Sequence, residues 1–473
     1  MKPLIAFYGD DFTGSTDAME VLQWAGLRTV LFLQPPTPKQ LSSFENLRAV
    51  GVAGWSRTMS LHEMDKELLP AFQRLKELKP SFVHYKTCST CDSSPNIGSI
   101  GRAMELGKQV FGDDWIPILI AAPHLGRYQA FGNLFARSGL DSEPYRLDRH
   151  PTMRCHPITP MQEADIREHL QLQTPLSMGL CDCLQIDQQD TADFHASSDA
   201  ILFDAIYQRH LPSIGRIVQS TSQLEAPRFL IGSSGVESAL ITAWEETGRL
   251  EQMRSHAPGR PQFGAVEQLL VVTGSCSPVN DRQIGWAEQN GFDTIALRPD
   301  VLVHPDTSSV EIESIVQQAL TILENGANLI LHTARGPADP RVKSTAAALR
   351  ELGFDELSVR LHSGRLLGPK LGSILGKVLM KHSLTRVGIA GGDTSGYVAR
   401  QLGIEALEAI APVAPGSPLC RVSSQNTFNG MEIIFKGGQV GRDDVWGTML
   451  RGNIADGPRN LWCIEPKDFA ERR

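Results

Sequence analysis

Short apolar runs that break into glycine- and hydroxyl-rich turns and resume as helices recur along this chain, and that repeat constrains the fold more than any other feature. The fullest copy spans residues 386–405 and reads RVGIAGGDTSGYVARQLGIE. Residues 387–390 are an apolar run of strand length. The turn Gly391-Gly392-Asp393-Thr394-Ser395-Gly396 follows, and Val398 and Leu402 stand four apart, which predicts a helix beginning near Ser395. Gly403 closes it, because glycine enters the left-handed C′ conformation without a Cβ clash. A strand that feeds a glycine turn into a helix aims unpaired N–H groups and the positive end of the helix dipole at one point. Phosphate suits that point, and Thr394 and Ser395 add hydroxyl donors. Asp393 adds a carboxylate that phosphate repels, so it either holds magnesium, accepts a proton from an attacking hydroxyl, or only caps the helix.

Strands joined through helices pair in parallel and leave their turns on one carboxyl edge, where ligands bind. The expected fold class is therefore α/β, in two domains that each carry a mostly parallel sheet flanked by helices. At 473 residues the chain exceeds the roughly 250–300 at which single cores stop growing. Residues 251–267, EQMRSHAPGRPQFGAVE, break the periodicity with proline and glycine, which predicts domains over 1–255 and 265–473. A net charge of −8 spread along the chain argues against a nucleic-acid partner but leaves room for a local basic pocket. The opening MKPLIAFYGDDF lacks an apolar signal segment and no run approaches the roughly 20 residues of a membrane span, so the expectation is a cytoplasmic protein without a membrane partner. The pairs Cys88/Cys91 and Cys181/Cys183 lack a second ligand pair at zinc-finger spacing, which predicts reduced, unligated thiols.

The N-terminal half opens on a strand at 4–8 and the turn Gly9-Asp10-Asp11-Phe12-Thr13-Gly14-Ser15-Thr16-Asp17, then a helix over 18–25 and a strand at 28–33. Two consecutive aspartates repel each other, so a structural role explains one more easily than both. Together they suit polyol hydroxyls, a metal or base catalysis, while Thr13 or Ser15 serves as helix N-cap. A strand over 82–85 runs into Lys86-Thr87-Cys88-Ser89-Thr90-Cys91-Asp92, which suits a carboxylate or polyol, or else is a solvated loop. Arg127 sits in another post-strand loop, where bidentate grip of a carboxylate is its best use. Helices are expected over 161–172 and 199–210, and the irregular, proline-rich stretch 146–160 is either a lid or an ordered connector.

The C-terminal half offers three glycine- and serine-rich post-strand turns: Gly274-Ser275, Gly391 to Gly396, and Lys436-Gly437-Gly438-Gln439-Val440-Gly441. On one sheet edge they ring a polyphosphate. No Gly-x-Gly-x-x-Gly, Gly-x-x-x-x-Gly-Lys-Ser/Thr, His-Glu-x-x-His or Gly-x-Ser-x-Gly occurs, which removes support from Rossmann dehydrogenase, P-loop, zincin and serine-hydrolase readings.

In order, GDDFTGSTD, the Lys86 loop, AAPHLGR, GSCS, GGDTSG and KGGQVG resemble the landmarks of the four-carbon acid sugar kinases. The resemblance covers nearly the whole chain. It implies a sugar-acid-binding N-terminal domain, an ATP-binding C-terminal domain, and phosphorylation of a terminal hydroxyl on tetronates or 3-oxo-tetronates with ATP and Mg2+. It puts Asp10, Asp11, Lys86, Ser89, Thr90 and Arg127 on the substrate side. Ser275, Gly391, Gly392, Asp393, Thr394, Ser395, Gly396, Lys436, Gly438 and Gly441 fall on the ATP side, with Asp393 and Asp11 as candidate catalytic carboxylates and no metal ligand assigned. The family usually has Lys-x-Asp-Ser-Thr-Leu-Arg-Gly, whereas here Cys88 replaces the aspartate and Cys91-Asp92 replace Leu-Arg. Gaining an acid where an arginine stood points to a branched acid such as 3-oxo-isoapionate as the alternative substrate. A homodimer stays open, and a dinucleotide oxidoreductase or a non-catalytic nucleotide sensor is the rival class.

Overall fold

The structure is a computed structural model that describes residues 2–112, 114–138, 142–156, 158–188, 198–220 and 227–453. Fifteen of the described strands join one sheet. Across it run Phe292–Ala296, Asn328–His332, Leu270–Thr273, Arg386–Ala390, Glu432–Lys436, Ser417–Ser423, Ala406–Ala414, Thr29–Phe32, Ala49–Ala53, Ile5–Gly9, Phe82–Lys86, Arg228–Gly232, Ile116–Leu119, Ala200–Phe203 and Met178–Cys181. Everything on one side of the Thr29–Phe32/Ala406–Ala414 pair comes from the C-terminal half, and everything on the other from the N-terminal half. Both flanks are parallel, as expected of strands joined by helices. Their central strands are apolar and buried on both faces, such as Ile5–Gly9 and Arg386–Ala390.

Between the flanks the sheet passes through three antiparallel pairings in succession, which no sequence signal announced. Three reversals make the two parallel sets run in opposite senses. The accumulated twist of so long a sheet then lets their carboxyl ends meet. Helix Phe12–Trp24 fills the angle: Phe12 packs on Phe435 with ring centroids 4.7 Å apart, and Thr16 Oγ1 donates to Gly416 O at 2.7 Å.

Several local expectations change. Residues 200–203, placed in a helix, form the strand Ala200–Phe203, because the Ala-Ile-Leu-Phe run is buried between Ile116–Leu119 and Met178–Cys181. The helix expected over 161–172 shrinks to Ile166–Gln171, capped by Asp165. Arg127 begins a strand, Arg127–Ala130, in a separate three-stranded antiparallel sheet rather than sitting in a loop. The first helix starts at Phe12 instead of Ala18 and its N-cap is Asp11, whose carboxylate accepts from Gly14 N; neither Thr13 nor Ser15 takes that position. Residues 254–269 carry no helix or strand, but they pack, with Gly259 N donating to Trp24 O at 3.0 Å. The seven described cysteines are free thiols, and Cys463 lies outside the described residues. Among the described residues no helix is long and apolar enough to cross a membrane.

Candidate active site where two strand edges meet

Several strands that end at this edge deliver functional groups. On the nucleotide half, Lys436 closes its strand, and Gly391 N donates to Lys436 O at 2.8 Å, which ties two of the glycine turns together. The third turn packs on both. A Cβ on Gly274 would stand 2.2 Å from Thr394 Oγ1, and one on Gly438 would stand 2.1 Å from Ser275 Oγ. Only glycine permits that approach. Gly391 also has φ +127, a backbone region that side chains avoid. Gly392 has no such requirement, since a Cβ there would meet only Arg57 Nη2 at 3.7 Å and Thr13 Oγ1 at 3.9 Å. Gly441, at φ +89, closes the Lys436 turn.

The helix here begins at Gly392 rather than near Ser395. As a result Ser395 is buried and its hydroxyl donates to Gly391 O at 2.7 Å, so it braces the turn instead of offering a donor outward. Lys436 is fully buried, with Nζ donating to Gly437 O at 2.9 Å and Val440 O at 3.0 Å. Burial without a carboxylate partner pulls its ammonium down to about 7. A convergent set of glycine turns around an uncompensated lysine fits a polyphosphate.

On the other half Asp10, Asp11, Lys86 and Asp92 are all buried. Lys86 Nζ donates to Thr87 O at 2.8 Å and stands 4.0 Å from Asp17. Burial alone would lower its pKa, but Asp17, Asp11 and Asp10 outweigh that and raise it. Burial and the neighbouring charge of Asp11 push Asp10 up to about 8, which favours its protonated form. Asp11 differs. Burial opposes its charge, yet Arg57, Lys86 and hydrogen bonds from Thr13 (2.8 Å) and Gly14 (3.0 Å) hold its carboxyl below the ordinary range. Asp10 Oδ1 and Thr87 Oγ1 are buried without partners, and such atoms are costly until a ligand hydroxyl meets them. Thr90 Oγ1 turns inward to Asp92 Oδ1 at 2.6 Å, while Ser89 is half-buried. Arg127 Nη1 donates to the carbonyls of Leu125, Gly126 and Arg137, while among the described residues its buried Nε has no hydrogen-bond partner and no hydrogen bond involves Nη2, so the Nε/Nη2 side remains open to a carboxylate.

The residue that joins the halves is Arg57, which follows the strand Ala49–Ala53 in the turn Ser56–Thr58. Its guanidinium lies 3.3 Å from Asp11, 3.6 Å from Asp92 and 3.9 Å from Asp393. It lines a cleft with Asp10, Gly392, Trp55, Tyr397 and Arg400. No motif in the sequence singles out Arg57. Its position after a strand on the same edge was the available signal.

Against this geometry the comparisons with known proteins agree. A sugar-binding N-terminal domain model matches residues 5–240, and a nucleotide-binding C-terminal domain model matches residues 270–446. The chain is similar to a 3-oxo-isoapionate kinase of Paraburkholderia graminis, with 43% identity covering 96% of this chain and 95% of the relative. The chain belongs to the four-carbon acid sugar kinase family. A 3-oxo-tetronate kinase of Pseudomonas savastanoi pv. phaseolicola is 28% identical, covering 95% of this chain and 97% of that one. Two crystal structures share the fold: a Salmonella typhimurium LT2 protein (TM-score 0.69, 23% identity, 93% of this chain and 97% of that one) and a Haemophilus influenzae protein (TM-score 0.64, 22% identity, 93% and 98%). The mixed α/β class and the two-domain organisation of this kinase family are those expected from the sequence.

Proposed function

We propose that this family member transfers the γ-phosphoryl group of ATP to a hydroxyl of a branched 3-oxo sugar acid of the 3-oxo-isoapionate type. The single observation that carries the transfer is the meeting of the two edges, with Asp393 of the nucleotide half 3.9 Å from the guanidinium that also faces Asp11 and Asp92. The branched substrate is supported by 43% identity to a 3-oxo-isoapionate kinase against 28% to the 3-oxo-tetronate kinase cited above. The exchange of Leu-Arg for Cys91-Asp92 supports it independently.

Residues fall into roles by their commitments. Lys436 and the turns at Gly274-Ser275, Gly391 to Gly396 and Gly438 hold phosphates. Magnesium on ATP needs only one or two carboxylates besides the phosphates; Asp393 would be one if it does not serve as the base, and such an ion would screen phosphate charge. Among the described residues no cluster of three or more His, Cys, Asp or Glu side chains that could hold a metal occurs. Asp10, with its raised pKa, is disposed to donate to a substrate oxygen. Lys86 supplies positive charge for the acid's carboxylate. Asp11 has both oxygens engaged and a lowered pKa, which makes it a poor base. Asp393 is half exposed, with Arg57 as its only ion-pair partner among the described residues. It is therefore the better acceptor for the hydroxyl proton. Positioning and charge neutralisation supply most of the rate in such transfers.

An ADP-release assay across 3-oxo-isoapionate, 3-oxo-tetronates and tetronates tests this. The expected result is a kcat/KM at least tenfold higher for the branched acid. Equal or better use of an unbranched acid overturns the substrate, and no ADP release with any of them overturns the kinase reading.

A further inference from the structure

Arg57 is held from both sides. Its own N–H donates to Asp10 O at 3.0 Å, which pins the turn to the substrate edge. From the nucleotide half, Arg365 donates to Thr58 O at 2.9 Å, and Arg400 donates to Ala53 O at 3.2 Å while stacking 4.2 Å over Trp55. So much positioning is spent on a side chain that makes no hydrogen bond to any described residue. The three carboxylates stand at 3.3, 3.6 and 3.9 Å without hydrogen-bond geometry. A structural ion pair behaves otherwise. Arg386 in the same protein donates through Nε and Nη2 to Glu432 at 2.8 and 2.6 Å. Arg57 keeps a planar fork of donors free beside Gly392, in a cleft that is only 19% exposed at that side chain. Burial does not discharge it, because Asp11 and Asp92 outweigh the desolvation, and a guanidinium stays protonated where a lysine would not.

We propose that Arg57 is a catalytic residue that donates hydrogen bonds to the non-bridging oxygens of the phosphoryl group as it crosses from nucleotide to sugar acid. The assignment rests on the kinase reading above and adds the residue that serves the moving group. In the step, the bond between the γ-phosphorus and the β–γ bridging oxygen breaks and its electron pair leaves with ADP. A new P–O bond forms to the substrate hydroxyl oxygen, whose proton passes to Asp393. Arg57 gains and loses no proton. Its role is to offset charge that spreads over the equatorial oxygens, which positioned donors in a water-poor site do best. The carboxylates keep the guanidinium centred until that charge arrives.

The test compares wild type with Arg57→Lys and Arg57→Met in three measurements: ADP affinity by calorimetry, turnover with 3-oxo-isoapionate, and trapping of ADP with aluminium fluoride and the sugar acid as a transition-state mimic. Expected for Arg57→Met is a loss of roughly 10³-fold in kcat, the low end for an arginine that serves phosphoryl transfer. ADP affinity should stay within about threefold, and the trapped complex should not form. Arg57→Lys keeps the charge but not the fork, so its turnover should lie between the two. If Arg57→Met instead weakens ADP binding and lowers Tm while bound enzyme turns over and traps normally, Arg57 is only an interdomain strut and the proposal falls. Inactive wild type with every acid would overturn the kinase reading, and this assignment with it.

Discussion

Lys436 offers the sharpest test of the nucleotide edge. Its ammonium is buried, donates to two carbonyls, and has no carboxylate to balance it. Burial moves it from 10.5 to about 7, a displacement worth on the order of 5 kcal/mol. The unfolded chain then holds the extra proton between pH 7 and 10.5, so this group makes stability rise with pH across that window and contributes no slope below it. Phosphates placed beside the ammonium restore the charged form. At pH 8 only about a tenth of the free protein carries that proton, so ATP binding should take up nearly one proton. Affinity should fall by up to about tenfold, or 1.4 kcal/mol, from pH 8 to pH 9. Calorimetry in two buffers of different ionisation enthalpy counts the proton directly, with ADP as a second ligand. Lys436→Met should abolish the uptake, weaken ATP and flatten the pH dependence. Proton uptake that is absent in wild type, or unchanged in the variant, would refute the placement of phosphate at Lys436.

Three further outcomes follow from the same geometry. Asp393→Asn should lower turnover by about 10²-fold or more while Tm moves little, because the side chain is half exposed and makes only a 3.9 Å ion pair; near-normal turnover would leave it a helix-end residue. Gly391→Ala should cost stability and ATP affinity together, since φ is +127 and its Cβ would lie 2.9 Å from Thr394 Oγ1, whereas Gly392→Ala should keep the wild-type Tm; thermal melts that rank the two the other way would refute the cradle. Asp92→Asn removes a charge that Arg57 and Thr90 both face, and should depress kcat/KM for the branched acid more than for a 3-oxo-tetronate; an unchanged ranking in a substrate panel would put Asp92 outside the specificity pocket.

Much of this edge was legible because strand–turn–helix units write their ligands in contiguous residues. GDDFTGS, the Lys86 loop, GGDTSG and KGGQVG each lie after a strand that apolarity alone reveals. What escaped was whatever depends on residues distant in sequence. The hairpin Ala406–Ala414/Ser417–Ser423 has mixed small and apolar residues, and its role appears only when Thr29–Phe32 pairs with it. Arg57 has no motif, and its meaning comes from three carboxylates 46, 35 and 336 positions away in the chain. Side-chain commitments are equally invisible. Ser395 and Thr90 looked like ligand donors, yet local geometry turns one to Gly391 O and the other to Asp92.

The two edges handle charge in opposite ways, and that difference sorts their ligands. The nucleotide edge buries a lysine with no counter-ion, so only an incoming polyanion relieves it. The substrate edge holds Asp10, Asp11, Asp17 and Asp92 around Lys86 and Arg57, so carboxylates outnumber cations and polyphosphate is unwelcome there. A hydroxyl-rich acid with a single negative charge suits it better, because Asp10, whose pKa is raised, favours donating and Asp11, whose pKa is lowered, favours accepting. Under the roles proposed above, ATP would take one orientation in the cleft, triphosphate on the glycine turns and its last phosphoryl group facing Arg57. Under these roles a substrate hydroxyl seated against Asp393 takes the position from which water would otherwise attack. If the proposed arrangement governs transfer, ADP release without any acceptor should be at least about a hundredfold slower than with it, a gap of roughly 2.7 kcal/mol in barrier. Comparable rates with and without acceptor would mean that the acids of the substrate edge do not govern transfer.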